Sequence, residues 1–189
     1  MKKLFFILTA TTLLGCEQAH NNGTTNKTDK VTDDRPKKEV EFLKQINNAD
    51  SVLTDQTNAI TRKEALDSGK VKIADFIINK LDGKIESWPA VIHSIQISDG
   101  IETTFMIQKT ADTSEYSSLI LYSNSGADNK QIKDQLKPLS YGDSVLITGV
   151  FEKNAAGKID FEPYGMAEDM DKVFENPKFN FTIISIKKK

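Results

Sequence analysis

Cysteine is almost missing from this sequence, because a chain of 189 residues contains only Cys16. A single cysteine cannot form an intramolecular disulfide, which excludes the small disulfide-stapled folds. No apolar run approaches the roughly 20 residues that a membrane-spanning helix needs, so a polytopic membrane protein is excluded as well. A surplus of one charge is also missing, since 25 Lys and Arg side chains stand against 27 Asp and Glu. This balance does not fit a general nucleic-acid coat protein.

The side chains and motifs of common active sites are scarce too. The chain has two histidines, His20 and His93, and it has no G-x-S-x-G, H-E-x-x-H or P-loop motif. His93 is expected to be a hydrogen-bonded histidine on the core side of a strand. The acidic cluster at residues 168–171 lacks the glycine that an EF-hand loop requires, so a solvated loop is the expectation there. We therefore expect no metal, no cofactor and no catalytic activity.

The first sixteen residues have the pattern of an export signal. Lys2 and Lys3 precede an apolar stretch over residues 4–14, which is too short to span a bilayer and has the length of a signal-peptide core. Leu13, Leu14 and Gly15 then lead into Cys16. This segment resembles the lipobox of bacterial lipoproteins. The resemblance implies that residues 1–15 are a signal peptide, that cleavage follows the Leu13-Leu14-Gly15 box, and that Cys16 carries the lipid.

The predicted anchor places the protein in the cell envelope. Two or more acyl chains give stable membrane attachment where one does not. Glu17, rather than an aspartate, follows the cysteine, which in Gram-negative cells resembles default sorting to the outer membrane, facing the periplasm. Residues 16–35 contain few apolar side chains beyond the cysteine, so they are predicted to form a flexible tether.

Residues 36–83 have the spacing of helices. Val40, Leu43 and Ile46 recur every three residues after Pro36, a residue suited to the first turn of a helix. The run 61–64 matches a capping box, and the helix that it starts is expected to end near residues 68–69. The stretch 71–81 again has helical spacing and is followed by Gly83, although a strand over 71–77 fits it as well.

From Lys84 the apolar side chains alternate with a period of two, which is typical of strands. In the first strand Val91, Ile95 and Ile97 share one face with His93, and Trp88, Ala90 and Ile92 share the other. Return strands are predicted over residues 103–109, 118–123, 144–152 and 179–186. A short helix is predicted over residues 131–136, between the third and the fourth strand.

Five strands with a helix between the third and the fourth indicate a small closed barrel. Three segments resemble the OB fold, and in particular the tRNA-anti-like OB domains of bacterial envelope proteins: residues 83–95, 141–149 and 181–183. The resemblance covers about residues 70–189. It implies an α+β, mainly β fold, in which a helical segment over 36–83 packs on an OB-like barrel over 84–189. It also implies a binding face on the barrel, for which we single out Trp88, Phe105 and Tyr122.

Nucleic acid is not the partner that we expect for this face. Lys109 is the only basic residue in the run 101–123, which contains three acidic residues, and nucleic-acid binding requires basic side chains among the aromatic ones. We expect a lipid-anchored, non-catalytic binding or scaffolding module that contacts another envelope protein or a glycan. Two alternatives remain open: a hydrolase of envelope saccharides that uses two carboxylates, and a lipoprotein that excludes phages or plasmids. The lysines at 187–189 are expected to block edge-to-edge pairing of the last strand.

Overall fold

The computed structural model of the protein describes residues 33–97, 99–109, 118–126, 129–165 and 172–189. Cys16, the residues before it and most of the predicted tether lie outside this part of the chain. So does the acidic cluster at residues 168–171. The helices and strands of the described residues are α1 (Lys37–Thr54), α2 (Ala59–Asn79), β1 (Lys84–Ile97), β2 (Gly100–Gln108), β3 (Ser118–Gly126), α3 (Lys130–Leu136), β4 (Ser144–Phe151), β5 (Phe161–Pro163) and β6 (Pro177–Lys188).

Five of the strands close into a mixed barrel. The order is β3-β2-β1-β4-β6, in which neighbouring strands are antiparallel, and a parallel pairing of β3 with β6 completes the circle. The predicted mainly β fold with helices is confirmed at this level. The short helix predicted over residues 131–136 is confirmed as α3, which lies between β3 and β4, so helices are not confined to the N-terminal segment. The short strand β5 extends β6 and was not predicted, since three residues are too few for a periodic pattern.

The barrel interior is filled by the alternating side chains of its strands. In β4 every second residue is buried, from Val145 through Ile147 and Gly149 to Phe151. Gly149 is needed for the close approach of β6, because a Cβ at this position would collide with the Thr182 carbonyl oxygen and with a neighbouring aromatic ring. The pairing register of β4 and β6 shifts at the same residue, so the strand bends there.

The helices α1 and α2 cover one end of the barrel. Phe42 of α1 is fully buried, and its ring centroid lies 5.8 to 6.0 Å from those of Phe76, Trp88, Phe151 and Phe179. Trp88 is near the start of β1, whereas Phe151 ends β4. The covered end is therefore the one at which β1 begins and β4 ends. None of the helices in the described residues is long and apolar enough to cross a membrane.

The helix α2 begins earlier than its predicted capping box. Asn58 is the residue that caps it, since the Ile60 backbone N–H donates to the Asn58 Oδ1 at 2.8 Å. The side chain of Thr61 instead donates to the Asn58 carbonyl oxygen. Asparagine and threonine are both good capping residues. The pattern of the capping box alone could not tell which of the two begins the helix.

Gly69 lies inside α2, so the predicted helix end at residues 68–69 and the alternative strand over 71–77 are wrong. A glycine costs about 1 kcal/mol in a helix interior relative to alanine. Here it makes room for an aromatic ring, because a Cβ at Gly69 would lie 2.5 Å from Cζ of Phe174. The predicted stop at Gly83 is confirmed: its φ of 70° is left-handed, and its N–H donates to the Ile77 carbonyl oxygen.

The core face of β1 is the one that carries Trp88, Ala90 and Ile92. A bulge between Ile92 and Ser94 then shifts the pairing with β2, so a single alternation does not run through the strand. The expectation that His93 lies on the core side is wrong. Its ring is half-buried outside the core, with its centroid 6.0 Å from that of Tyr141.

Candidate binding site

The predicted binding face of Trp88, Phe105 and Tyr122 is not a surface. Trp88 is 2% exposed and Phe105 is 0% exposed, and both belong to the barrel core. The prediction is wrong for these two residues, because the strand pattern marks two faces but does not tell which is inside. Tyr122 is half-buried and lies beneath the ammonium of Lys178, which is 5.5 Å from the ring centroid. Burial and the neighbouring Glu102 raise the pKa of the Tyr122 phenol.

A different part of the chain forms a polar cavity of about 440 Å³, which we call the Lys109 pocket. Three segments contribute to it: the second half of α1, the residue that follows β2, and the turn before β6. Its lining residues are Asn47, Asp50, Ser51, Thr54, Asp55, Lys109 and Glu175.

The helix α1 presents a polar face to this pocket. Asn47, Asp50, Ser51 and Thr54 follow the spacing i, i+3, i+4 and i+7, which places them on one side of a helix. The apolar residues of α1 recur on another side and are buried against the barrel. The wall of the pocket is therefore a direct result of the two-sided pattern of α1.

Lys109 is the charged floor of the pocket. The residue is only 4% exposed, and its ammonium donates a hydrogen bond of 2.7 Å to the Phe174 carbonyl oxygen. The ammonium also lies 3.8 Å from Oδ2 of Asp50. A buried cation is costly unless it is paired and hydrogen-bonded. Lys109 is thus held in place by the protein itself.

The carboxylates around Lys109 influence one another. Burial raises the pKa of Asp50, the ammonium of Lys109 opposes that rise, and the negative charge of Glu175 adds to it. Asp55, next to the end of α1, contributes a third carboxylate at the negative end of the helix dipole. Three carboxylates, one ammonium and the C-terminal end of a helix therefore line the pocket, and this charge pattern favours a cation over an anion.

In the part of the chain that the structure describes, no group of three or more His, Cys, Asp or Glu side chains is arranged to hold a metal ion. The lining of the pocket includes no histidine and no cysteine. The arrangement is suited to an organic cation, which binds through ion pairs and hydrogen bonds and does not need close coordination by several ligands.

Neither a scan of protein-family models nor searches of curated proteins and of solved structures found a match.

Sequence reasoning missed the Lys109 pocket. Lys109 entered that reasoning only as an isolated basic residue beside the barrel strands. The one available signal was the polar spacing from Asn47 to Thr54, which marks a second face on α1. The meeting of Asp50, Lys109 and Glu175 depends on residues far apart in the chain, and no local pattern reveals it.

Proposed function

We propose that the protein is a lipid-anchored protein of the bacterial cell envelope whose barrel is a non-catalytic, OB-like binding module. Its Lys109 pocket receives a cationic group, such as a lysine or arginine side chain, from another envelope protein. One observation carries this proposal: the pocket has three carboxylates, and its single ammonium is already engaged with the protein.

The strand order supports the OB-like part of the proposal. An OB barrel has five strands in a Greek-key arrangement. In this chain β1, β2, β3, β6 and β4 follow one another around the barrel, and α3 lies between β3 and β4. The short strand β5 is an addition to that plan.

Electrostatics supports a cationic partner group. Among the residues that line the pocket, the three carboxylates of Asp50, Asp55 and Glu175 outnumber the single ammonium of Lys109. Asp50 is partly removed from water, where an opposite charge acts more strongly than on an open surface. An arriving ammonium or guanidinium reduces the repulsion between Asp50 and Glu175. Binding by such pairs weakens as salt is added.

The pocket can be tested with a fluorescently labelled hexalysine peptide. We expect binding at 50 mM NaCl that is about tenfold weaker in the Asp50→Asn/Glu175→Gln double variant, because each partly exposed ion pair contributes up to about 1 kcal/mol. The measurement is fluorescence anisotropy at several salt concentrations. The matched control is Glu64→Gln/Asp67→Asn, which removes two carboxylates from the exposed side of α2. Equal affinities of the wild type and the pocket variant for the peptide would refute the proposal that the Lys109 pocket binds cationic groups.

The anchor has a separate test. Cys16→Ser is expected to leave an unprocessed precursor without lipid, because only the thiol accepts the acyl-bearing group in the family that the signal resembles. Intact mass and cell fractionation measure the outcome. The wild type should lack residues 1–15, carry acyl chains and sediment with membranes. A Cys16→Ser protein with the normal mature mass would contradict the anchor and leave the pocket proposal standing.

A carboxylate-dependent hydrolase of envelope saccharides is the second candidate. The observation in its favour is that Asp50 and Glu175 share one pocket and that the pKa of Asp50 is raised. Glycoside hydrolysis uses a protonated carboxyl and an ionised one. The assay is release of reducing ends from peptidoglycan fragments. Turnover that either Asp50→Asn or Glu175→Gln abolishes would establish the hydrolase and displace the binding module.

A further inference from the structure

Lysines gather at the barrel end that is opposite to the Lys109 pocket. We call this region the lysine end and define it by Lys130, Lys133 and Lys137 in and after α3, and by Lys187, Lys188 and Lys189 in and after β6. The two segments are held together by a hydrogen bond of 2.7 Å from the Ile186 N–H to Oε1 of Gln135.

The lysine end has a positive surplus. Asp99, Asp134 and Asp143 are acidic residues of the same region. Asp134 is paired with Lys137 at 2.7 Å, and Asp143 with Lys188 at 3.0 Å. Six lysines thus outnumber these three aspartates.

Two large apolar side chains protrude among these lysines. Ile97, at the end of β1, is 75% exposed, and Tyr141, after α3, is 77% exposed. Both line a groove of about 420 Å³ together with Lys133 and Lys137. An exposed aliphatic residue, an exposed tyrosine and two lysines thus lie side by side along one groove.

We propose that the lysine end docks on an anionic lipid surface. Tyrosine is favoured at the membrane interface, because its ring is apolar and its hydroxyl remains hydrated. Lysine stems lie along apolar surface while their ammonium groups reach the lipid phosphates. Each lysine near an anionic leaflet contributes to binding. The protruding side chains of Ile97 and Tyr141 can enter a fluid lipid interface directly. A rigid protein partner would instead need a cavity that matches them.

This docking goes beyond the proposed function, because it involves neither the Lys109 pocket nor Cys16. The strand β2 begins at the lysine end and stops just before Lys109, and β6 runs from the side of Glu175 to Lys188. A barrel that rests on the membrane by its lysine end therefore presents the pocket away from the lipid.

The test is vesicle co-sedimentation of the full chain. The vesicles are pure phosphatidylcholine, or phosphatidylcholine with three tenths phosphatidylglycerol. We expect Lys133→Glu/Lys137→Glu to lower partitioning to the anionic vesicles about thirtyfold, since each lysine near such a surface contributes about 1 kcal/mol. The apolar residues 4–14 are present in wild type and variants alike, so the differences between them report on the barrel.

The matched control is Lys63→Glu/Lys72→Glu on the exposed side of α2. It makes the same charge change, and like the test pair it includes one lysine that is ion-paired within its own helix region. Partitioning of the control should stay within about threefold of the wild type. Thermal melts of all variants confirm that they fold.

A second variant separates the apolar part of the contact. Ile97→Ser/Tyr141→Ser should reduce binding to anionic vesicles at 500 mM NaCl, where the lysines are screened. Equal partitioning of the wild type and Lys133→Glu/Lys137→Glu would overturn the proposal. The proposal would also be overturned if Lys133→Glu/Lys137→Glu bound vesicles as well as the wild type does but lost tight binding to an oligonucleotide or to a hexaglutamate peptide. The lysine end would then be a site for that polyanion.

Discussion

Replacing Ile147 by aspartate is expected to unfold the barrel. Ile147 is fully buried in the middle of β4, opposite Trp88 on β1 and Ile186 on β6. The change removes an apolar side chain from the core and places a carboxylate where no partner is available. The combined cost is more than about 5 kcal/mol, which reaches the whole stability of an ordinary domain. Circular dichroism during heating should show no cooperative transition.

Ile184→Asp is the control for this experiment. Ile184 lies on β6, the strand next to β4, but its side chain is 50% exposed. The same substitution there should change stability by less than about 1 kcal/mol, because the new carboxylate stays hydrated. Similar melting temperatures for the Ile147 variant and the wild type would mean that β4 faces the other way.

Glu39→Gln is expected to stabilise the protein above neutral pH. Glu39 of α1 is fully buried, and neither of its carboxylate oxygens has a hydrogen-bond partner in the described part of the chain. Burial raises its pKa from 4.5 to about 7, against the opposing charge of Arg35, whose guanidinium is 4.0 Å away. The folded state therefore holds the Glu39 proton more tightly than the unfolded chain does.

The sign of the pH effect follows from this difference. The contribution of Glu39 to the free energy of unfolding is fully present below about pH 4.5. It is lost as the pH rises through about 7, the raised pKa in the folded state. The full difference is about 3 kcal/mol. Glutamine has no charge to bury but leaves an unpaired amide, so the gain at pH 8 is about 1 to 3 kcal/mol.

Urea unfolding at pH 5 and pH 8 measures the effect. The wild type should lose more stability over this interval than Glu39→Gln does. Glu41→Gln is the control, because Glu41 lies on the same helix and is exposed. Parallel pH curves for the wild type and Glu39→Gln would show that Glu39 is ionised at no cost in the folded protein.

The strands were the most predictable part of this fold. The run from Ser144 to Phe151 alternates without interruption, and its predicted bounds differ from the observed ones by one residue. In β1 the alternation fails at the bulge after Ile92, which depends on the partner strand and leaves no mark in the sequence. The predicted helix end near Gly69 is wrong for a related reason, since the Phe174 ring that requires this glycine is distant in the chain.

The candidate sites were less predictable than the strands. The predicted binding face includes Trp88 and Phe105, whereas the barrel needs both side chains for its interior. The Lys109 pocket depends on the packing of α1 against two segments remote in the chain. The lysine end similarly combines a helix and a strand that are about fifty residues apart in the sequence. Local patterns identify elements, but charge surpluses of this kind arise only when the elements pack.

The closing strand β6 also determines when the barrel can form. It pairs with β3, β4 and β5, and its parallel pairing with β3 joins residues such as Ile120 and Lys178. Contacts between such distant residues form slowly, because a long loop must close first. Until residues 177–188 are available, β3 and β4 both keep an open edge. The proposed export requires the chain to cross a membrane unfolded. The late closure of the barrel by β6 delays folding and so favours this crossing.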